Sequence, residues 1–274
     1  MCRILEVSAS GYYGWRQRPI SKRKQENTVI VNHITQVHQQ SRQTYGSPRI
    51  HAELKAQGIQ CGESRVARLM KHNGIQAKRK KKYVITTDST HDLPIAGNRL
   101  NQQFTAQAPN EKWVADITYI WTQEGWLYLA VVLDLFSRRV VGWSMQANLG
   151  KGLVMAALTM AIKARQPPVG LVHHSDRGSQ YASKEHRQAL HKMGSHCSMS
   201  RKGNCYDNAA MESFFATLKR ERVEDQLYSS RQDARQDIFH YIETWYNRKR
   251  RHSTLGYVSP EQYENNYRQL SLVA

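Results

Sequence analysis

Three apolar runs of strand length follow one another at residues 113–120, 126–135 and 139–145, separated only by Gly125 and by the polar pair Ser137-Arg138. Runs joined by such short turns predict an antiparallel meander. After them come a helical run at 153–164 bounded by Pro167-Pro168, a short strand at 170–174 that ends at Asp176, and a helix at 184–193. A short strand near 196–199, a polar loop and a helix over 208–223 complete the region. Three strands followed by alternating helix and strand predict an α/β fold, a mixed sheet with helices on both faces.

The front of the chain has a different character. The chain carries a net charge of +18, and residues 1–87 hold 17 Lys and Arg against 4 Asp and Glu, so +13 falls there and only +5 on the rest. A polyanionic partner is the simplest reason to tolerate that self-repulsion, and nucleic acid is the leading one. Ile50, Leu54, Ile59, Val66, Leu69, Met70 and Ile75 are spaced as the inward faces of two helices, with Gly58 and Gly62 between them and Gly74 after the second. This is the outline of a helix-turn-helix. Arg65, Arg68 and Lys71 share one face of its second helix and suit a groove contact, although a solvated face on a small helical hairpin has the same pattern. Lys78, Arg79, Lys80, Lys81 and Lys82 form a block of like charge that suits phosphate without sequence preference.

Length and composition narrow the class further. The 274 residues, 40% of them hydrophobic, suffice for one ordinary domain and a smaller one. No run of about 18 apolar residues and no signal-peptide core is present, so a soluble cytoplasmic protein is expected, with no membrane partner. Cys2, Cys61, Cys197 and Cys205 make no zinc-ligand spacing and read as reduced. His173 and His174 are adjacent on a predicted strand and point to opposite faces, which disfavours a shared metal.

Three acids stand where acids are costly. Asp116 lies inside the first apolar strand, where an unpaired charge is expensive to desolvate. Asp176 follows the end of another strand, the usual place for ligand groups in α/β folds. Glu212 sits among Ala209, Ala210, Met211, Phe214 and Phe215 in the first turns of a helix. Carboxylates brought together repel by about 4 kcal/mol per pair at ~4 Å and an effective dielectric near 20, so the arrangement calls for a cation. Hard oxygen donors select Mg²⁺ or Mn²⁺, and two such ions suit displacement at phosphorus. On residue type alone Asp134, also in a strand, or Asp207, five residues before Glu212, can stand in for a member of the set, and a cap or ion-pair role is the alternative for any single acid.

The segments Trp113-Val-Ala-Asp-Ile-Thr-Tyr, His174-Ser-Asp-Arg-Gly-Ser-Gln-Tyr and Asn208-Ala-Ala-Met-Glu-Ser-Phe-Phe resemble the three signature blocks of the DDE transposases of bacterial insertion sequences. Thirty-five residues lie between Asp176 and Glu212, the spacing those proteins show between their second and third acids. Residues 45–77 are similar to the family's helix-turn-helix segment, and residues 241–261, with Trp245-Tyr-Asn and Leu255-Gly-Tyr-Val-Ser-Pro, to its C-terminal block. The resemblance implies the second-frame product of a two-frame element, with a ribonuclease H-like core of the retroviral-integrase type. It implies metal-dependent 3′-end cleavage and strand transfer, with Asp116, Asp176 and Glu212 as catalytic metal ligands for two Mg²⁺ or Mn²⁺ ions. Lys219 falls on the family's basic position seven residues after the glutamate, about two helical turns, and so faces the same way. The partners implied are double-stranded DNA, as terminal repeats and as target, and further copies of the chain assembled on that DNA.

The segments expected are a basic helical segment at 1–44, the helix-turn-helix at 45–77, a basic and polar linker at 78–110, the catalytic core at 111–225 and a helical extension at 226–274. Complete transposases of this type carry a further helix-turn-helix and a coiled coil from the first frame, and this sequence has no sustained heptads. The first-frame protein, or a frameshift fusion with it, is therefore a further expected partner. A non-catalytic DNA-binding regulator of transposition is the alternative function. Arg248 to His252 beside Trp245 and Tyr246 suit either DNA or a helix end, and Arg177 and Gln180 suit either DNA or loop hydrogen bonding.

Overall fold

The computed structural model describes residues 2, 4–78 and 93–273, and it divides after Lys78 into two compact units. Of the basic block, Arg79, Lys80, Lys81 and Lys82 lie outside the described residues. No helix among the described residues is long and apolar enough to cross a membrane.

The first unit is helical: α1 (Ala9–Gln17), α2 (Lys22–Gln40), α3 (Ser47–Ala56) and α4 (Glu63–His72). Ser8 and Ser21 cap α1 and α2 by accepting N–H bonds from Gly11 and Lys24 at 3.0 and 3.3 Å. Helix α3 opens with a proline in its first turn, where the missing N–H costs nothing. Ile30, Ile34 and Val37 of α2 are buried, as are Ile50 and Leu54 of α3 and Val66, Leu69 and Met70 of α4. The apolar spacing therefore identified both helices of the α3–α4 pair, and α2 packs against both of them. Helix α1 buries none of its residues.

In the second unit β1 (Lys112–Thr122), β2 (Gly125–Asp134) and β3 (Val140–Gln146) form the expected antiparallel meander. Helix α5 (Lys151–Arg165) leads to β4 (Val172–Ser175), and α6 (Lys184–Lys192) leads to β5 (His196–Met199); both strands run parallel to β1. The sheet order is β3-β2-β1-β4-β5. Helix α7 (Ala209–Leu218) continues as a π-helical turn over Lys219–Val223. Helices α8 (Arg231–His240), again extended by a π-helical turn, and α9 (Pro260–Val273) follow.

Alternation along β1 sorts side chains to two cores, as a period of two requires. Trp113 and Ala115 pack with Leu153, Val154, Ala157 and Ala161 of α5. Val114 and Ile120 pack on the other face with Met211, Phe214, Phe215 and Leu218 of α7 and with residues of α8. Strand β3 comes so close to α5 that a Cβ at Gly142 would stand 2.3 Å from the Ala157 carbonyl oxygen and 2.7 Å from the Ala161 Cβ. Only glycine permits that approach. The second unit is thus an α/β fold, a mixed sheet between two helical layers as the order of strands and helices predicts, and the first unit contains the helix-turn-helix-like α3–α4 pair.

Candidate active site

Asp116 stands two residues past Val114 on β1, so it faces the α7 side of the sheet. Ala115 pairs with Ser175, the last residue of parallel β4. Asp176 follows directly on the end of β4, the strand beside β1, and its charge acts on Asp116. Helix α7 covers the same face, anchored by four buried apolar side chains and by the Asn208 amide, which donates to the Ala115 carbonyl at 3.3 Å. Glu212 lies in the first turn of that helix, on its exposed side.

Local hydrogen bonds orient both aspartates. An Asp116 carboxylate oxygen accepts from the Ile117 N–H at 2.7 Å, and Asp176 Oδ1 accepts from the Gly178 N–H at 3.0 Å. A Cβ at Gly178 would lie 2.9 Å from Gln180 Oε1 and 3.1 Å from Asp176 Oδ1, so this turn folds tightly against its own carboxylate. The Asp116 pKa is pushed well above the ordinary aspartate value, first by burial and then by the negative charge of Asp176, with Glu212 adding to it. The Ile117 N–H and the Lys219 ammonium pull the other way. Partial desolvation of its otherwise exposed side chain also raises the Glu212 pKa. Among the described residues no group of three or more His, Cys, Asp or Glu stands at metal-holding spacing, while the charges of Asp176 and Glu212 both act on Asp116.

The competing acids lie elsewhere in the molecule's economy of charge. Asp134 is fully buried, accepts N–H bonds from Asn110 and Phe136 at 2.8 and 3.0 Å and pairs with Arg165 at 3.3 Å; burial nonetheless lifts its pKa to about 6. Arg165 also holds the buried Glu264 of α9 at 2.8 Å. Asp207 is gripped by Arg201 through three hydrogen bonds of 2.7 to 3.0 Å, and that guanidinium holds its carboxyl well below the usual range. Both acids fasten loops to the core.

His174 bonds to Ser198 and Ser200 at 2.8 and 3.2 Å, and burial lowers its pKa to about 4. His173 points to the other face, edge-on to His186 at 5.2 Å, as the alternation anticipated. Tyr181, whose side chain the sequence reading left without a role, is 2% exposed, and burial followed by the charges of Asp116 and Asp176 raises its pKa well above the ordinary phenol value.

The DNA candidates separate by environment. Arg68 and Lys71 are exposed on α4, whereas Arg65 is half-buried and bonded to Glu26 and Asn27, both at 3.0 Å. The Lys78 backbone N–H donates to the Gln43 carbonyl at 2.9 Å. Arg248 and Lys249 are exposed, but Arg250 is only 2% exposed and donates to the buried Glu221 at 2.8 to 3.0 Å. Arg177 donates to the Ser200 carbonyl at 2.6 Å, the loop hydrogen bonding that its position allowed.

The chain matches the family pattern described as an integrase core domain over residues 106–205 and again over 193–260, and that of an HTH-like domain over 24–83. The insertion element IS600 uncharacterized 31 kDa protein of Shigella sonnei is 47% identical over 99% of this chain and 100% of its own. The transposase InsF for insertion sequence IS3A of Escherichia coli (strain K12) is 45% identical over 97% of this chain and 93% of its own. The chain belongs to the IS3-type transposases of bacterial insertion sequences. As a transposase it is an enzyme that acts on DNA, and its two integrase-core matches together enclose Asp116, Asp176, Glu212 and Lys219. The HTH-like match begins within α2, consistent with the packing of that helix on α3 and α4. Among solved structures, the HTLV-2 integrase catalytic core in complex with magnesium (trimeric form) overlays with a TM-score of 0.43 and 15% identity, covering 58% of this chain and 99% of that one. That likeness is too slight to add to the family match.

Proposed function

We propose that the transposase cuts the 3′ ends of its element and joins them to target DNA at a divalent-metal site formed by Asp116, Asp176 and Glu212. The observation that carries this reading is the Asp116 carboxyl, crowded by the negative charge of Asp176 and Glu212 with Lys219 as the opposing cation. A group held that way gains from a hard cation, and three carboxylates are the donor set that Mg²⁺ or Mn²⁺ prefers. Asp116, Asp176 and Glu212 would be the residues that hold it. Two ions, when bound, activate the attacking oxygen and stabilise the leaving one.

The protein's own parts have separable tasks. The Gly178 N–H holds one Asp176 oxygen in its turn, and the buried face of α7 fixes the approach of Glu212. Lys219 holds a non-bridging phosphate oxygen beside the acids. In the first step water attacks the phosphorus as the P–O bond to the 3′ oxygen breaks, freeing a 3′-hydroxyl. In the second that hydroxyl attacks a target phosphodiester, forming one P–O bond as another breaks; its proton passes to solvent and the displaced target oxygen takes one up. Arg68 and Lys71, with the basic block beginning at Lys78, bind the backbone of terminal-repeat and target duplexes. Two ends joined in one event call for several copies of the chain on DNA, in the bacterial cytoplasm, with the first-frame protein as a further partner.

The test is cleavage and joining of labelled duplexes carrying the element's terminal repeats, in Mg²⁺, Mn²⁺ or EDTA, by wild type and Glu212→Gln. Metal-dependent nicking and joining that vanish in the variant, with duplex binding retained, are expected. Duplex binding by the wild type with no metal-dependent chemistry would overturn the assignment and leave a regulator of transposition.

A further inference from the structure

The stretch from Val7 to Gln25 carries Arg16, Arg18, Lys22, Arg23 and Lys24 and no acid. All five cations are exposed, and among the described residues none of their side chains has an ion-pair or hydrogen-bond partner. Glu26, the first acid after them, is already bonded to Arg65 at 3.0 Å. Helix α1, which leads into this run, buries none of its nine residues. Its helical spacing turns Tyr12, Tyr13, Trp15 and Arg16 to one side, with Gly11 and Gly14 behind them. Tyr13 and Trp15 are 56% and 66% exposed, with the Tyr12 ring centroid 5.3 and 6.2 Å from theirs. So short a helix is marginal in water without packing, and a ligand on its aromatic side supplies what the protein does not.

Charge selects that ligand. Five cations so close together call for a polyanion, and they repel a second copy of the same surface. Cations alone grip the phosphates of duplex and single strand alike. Exposed aromatic faces add a contact that paired bases, stacked inside a duplex, cannot use. We propose that α1 and the first turn of α2 form a binding site for single-stranded DNA, with phosphates on Arg16, Arg18, Lys22, Arg23 and Lys24 and unpaired bases stacked on Tyr13 and Trp15. These residues are distinct from Arg68, Lys71 and Lys78, to which duplex contacts are given above. The inference rests on the reading that the helical unit binds DNA and is independent of the metal site. A 3′ end freed by cleavage is such a strand once it parts from its complement.

The experiment follows binding of the full chain to a fluorescein-labelled oligothymidine and to a blunt duplex of equal length, by fluorescence anisotropy in EDTA across a salt series. Wild type is compared with Tyr13→Ala/Trp15→Ala and with Arg18→Ala/Arg23→Ala. All four side chains are exposed, so melting temperatures should not move. The aromatic pair should weaken oligothymidine binding by about tenfold or more and duplex binding by less than about twofold. The arginine pair should reduce the slope of log affinity for oligothymidine against log salt by about 1.4. Equal oligothymidine affinity in wild type and the aromatic variant would overturn the inference. An equal loss on both probes would overturn it too, since the contact would then be with the backbone alone. Weakened self-association of the aromatic variant in sedimentation, with both affinities kept, would give the face to a protein contact instead. A wild type that binds the duplex but not oligothymidine would remove this site and leave the duplex contacts standing, whereas one that binds neither would remove both.

Discussion

Replacing Asp116 by Asn should make the metal-free transposase more stable while abolishing its response to metal. Burial and the charges of Asp176 and Glu212 raise the Asp116 pKa in the folded protein. A carboxyl raised in this way contributes stability that is fully present below its unfolded pKa and is lost as pH rises through the folded value. At pH 8 the ionised group is therefore a net cost. Like charges ~5 Å apart repel by about 3 kcal/mol at an effective dielectric near 20. The Ile117 N–H, Lys219 and solvent at the half-exposed site offset part of this, leaving about 1–3 kcal/mol for the neutral amide to recover. For a unit of this size that corresponds to a melting temperature higher by roughly 2–12 °C. The assay is thermal unfolding of the full chain in EDTA across pH 5 to 8, repeated with Mg²⁺. The gain should grow with pH, and Mg²⁺ should raise the melting temperature of the wild type alone. A variant that melts at or below the wild type at pH 8 in EDTA, or that gains as much from Mg²⁺, would refute the reasoning.

Three further outcomes follow from features away from the acids. Arg250→Ala removes the guanidinium that donates to the buried Glu221 carboxylate, leaving it the Tyr241 hydroxyl at 3.0 Å and the Arg220 guanidinium at 3.8 Å, and should cost about 3 kcal/mol in denaturant unfolding; a loss under about 1 kcal/mol would mean the pair is not buried in solution. Alanine at both Arg68 and Lys71 should leave stability within about 0.5 kcal/mol and lower the slope of log affinity for duplex against log salt by nearly 2, and an unchanged slope would remove α4 from the DNA interface. Gly142→Ala forces a Cβ into the Ala157 carbonyl and should destabilise by about 1–3 kcal/mol or more, which chemical denaturation would detect.

What could be read in the sequence was what local pattern specifies. The strands of the meander were legible because apolar runs and their breaks are one-dimensional signals, and the helices of the α3–α4 pair because Ile50, Leu54, Val66, Leu69 and Met70 keep a helical period. Asp116, Asp176 and Glu212 stood out through position and resemblance, yet residue type alone could not rank them above Asp134 and Asp207. That ranking depends on partners far along the chain: Arg165 lies 31 residues from Asp134, and the sequence does not encode such a pairing locally. The same limit hid the bond from Arg65 to Glu26, which occupies one member of an apparently uniform basic face, and the burial of Arg250 beside two exposed cations. Tyr181 was visible as a letter in a motif, but its burial is a property of the packed interior and has no counterpart in composition or period.

If Asp116, Asp176 and Glu212 bind the metal directly, replacing one of their oxygens must change which metal supports the reaction. Asp176→Cys exchanges a hard oxygen ligand for a soft thiolate, which Mg²⁺ tolerates poorly and Mn²⁺ better. Strand transfer of terminal-repeat duplexes by the full chain should be lost in Mg²⁺ and partly restored in Mn²⁺, with duplex binding unaltered in both. Transfer by Asp176→Cys at the wild-type rate in Mg²⁺ would contradict the account, because the carboxylate would then be dispensable to the ion it is assigned to hold.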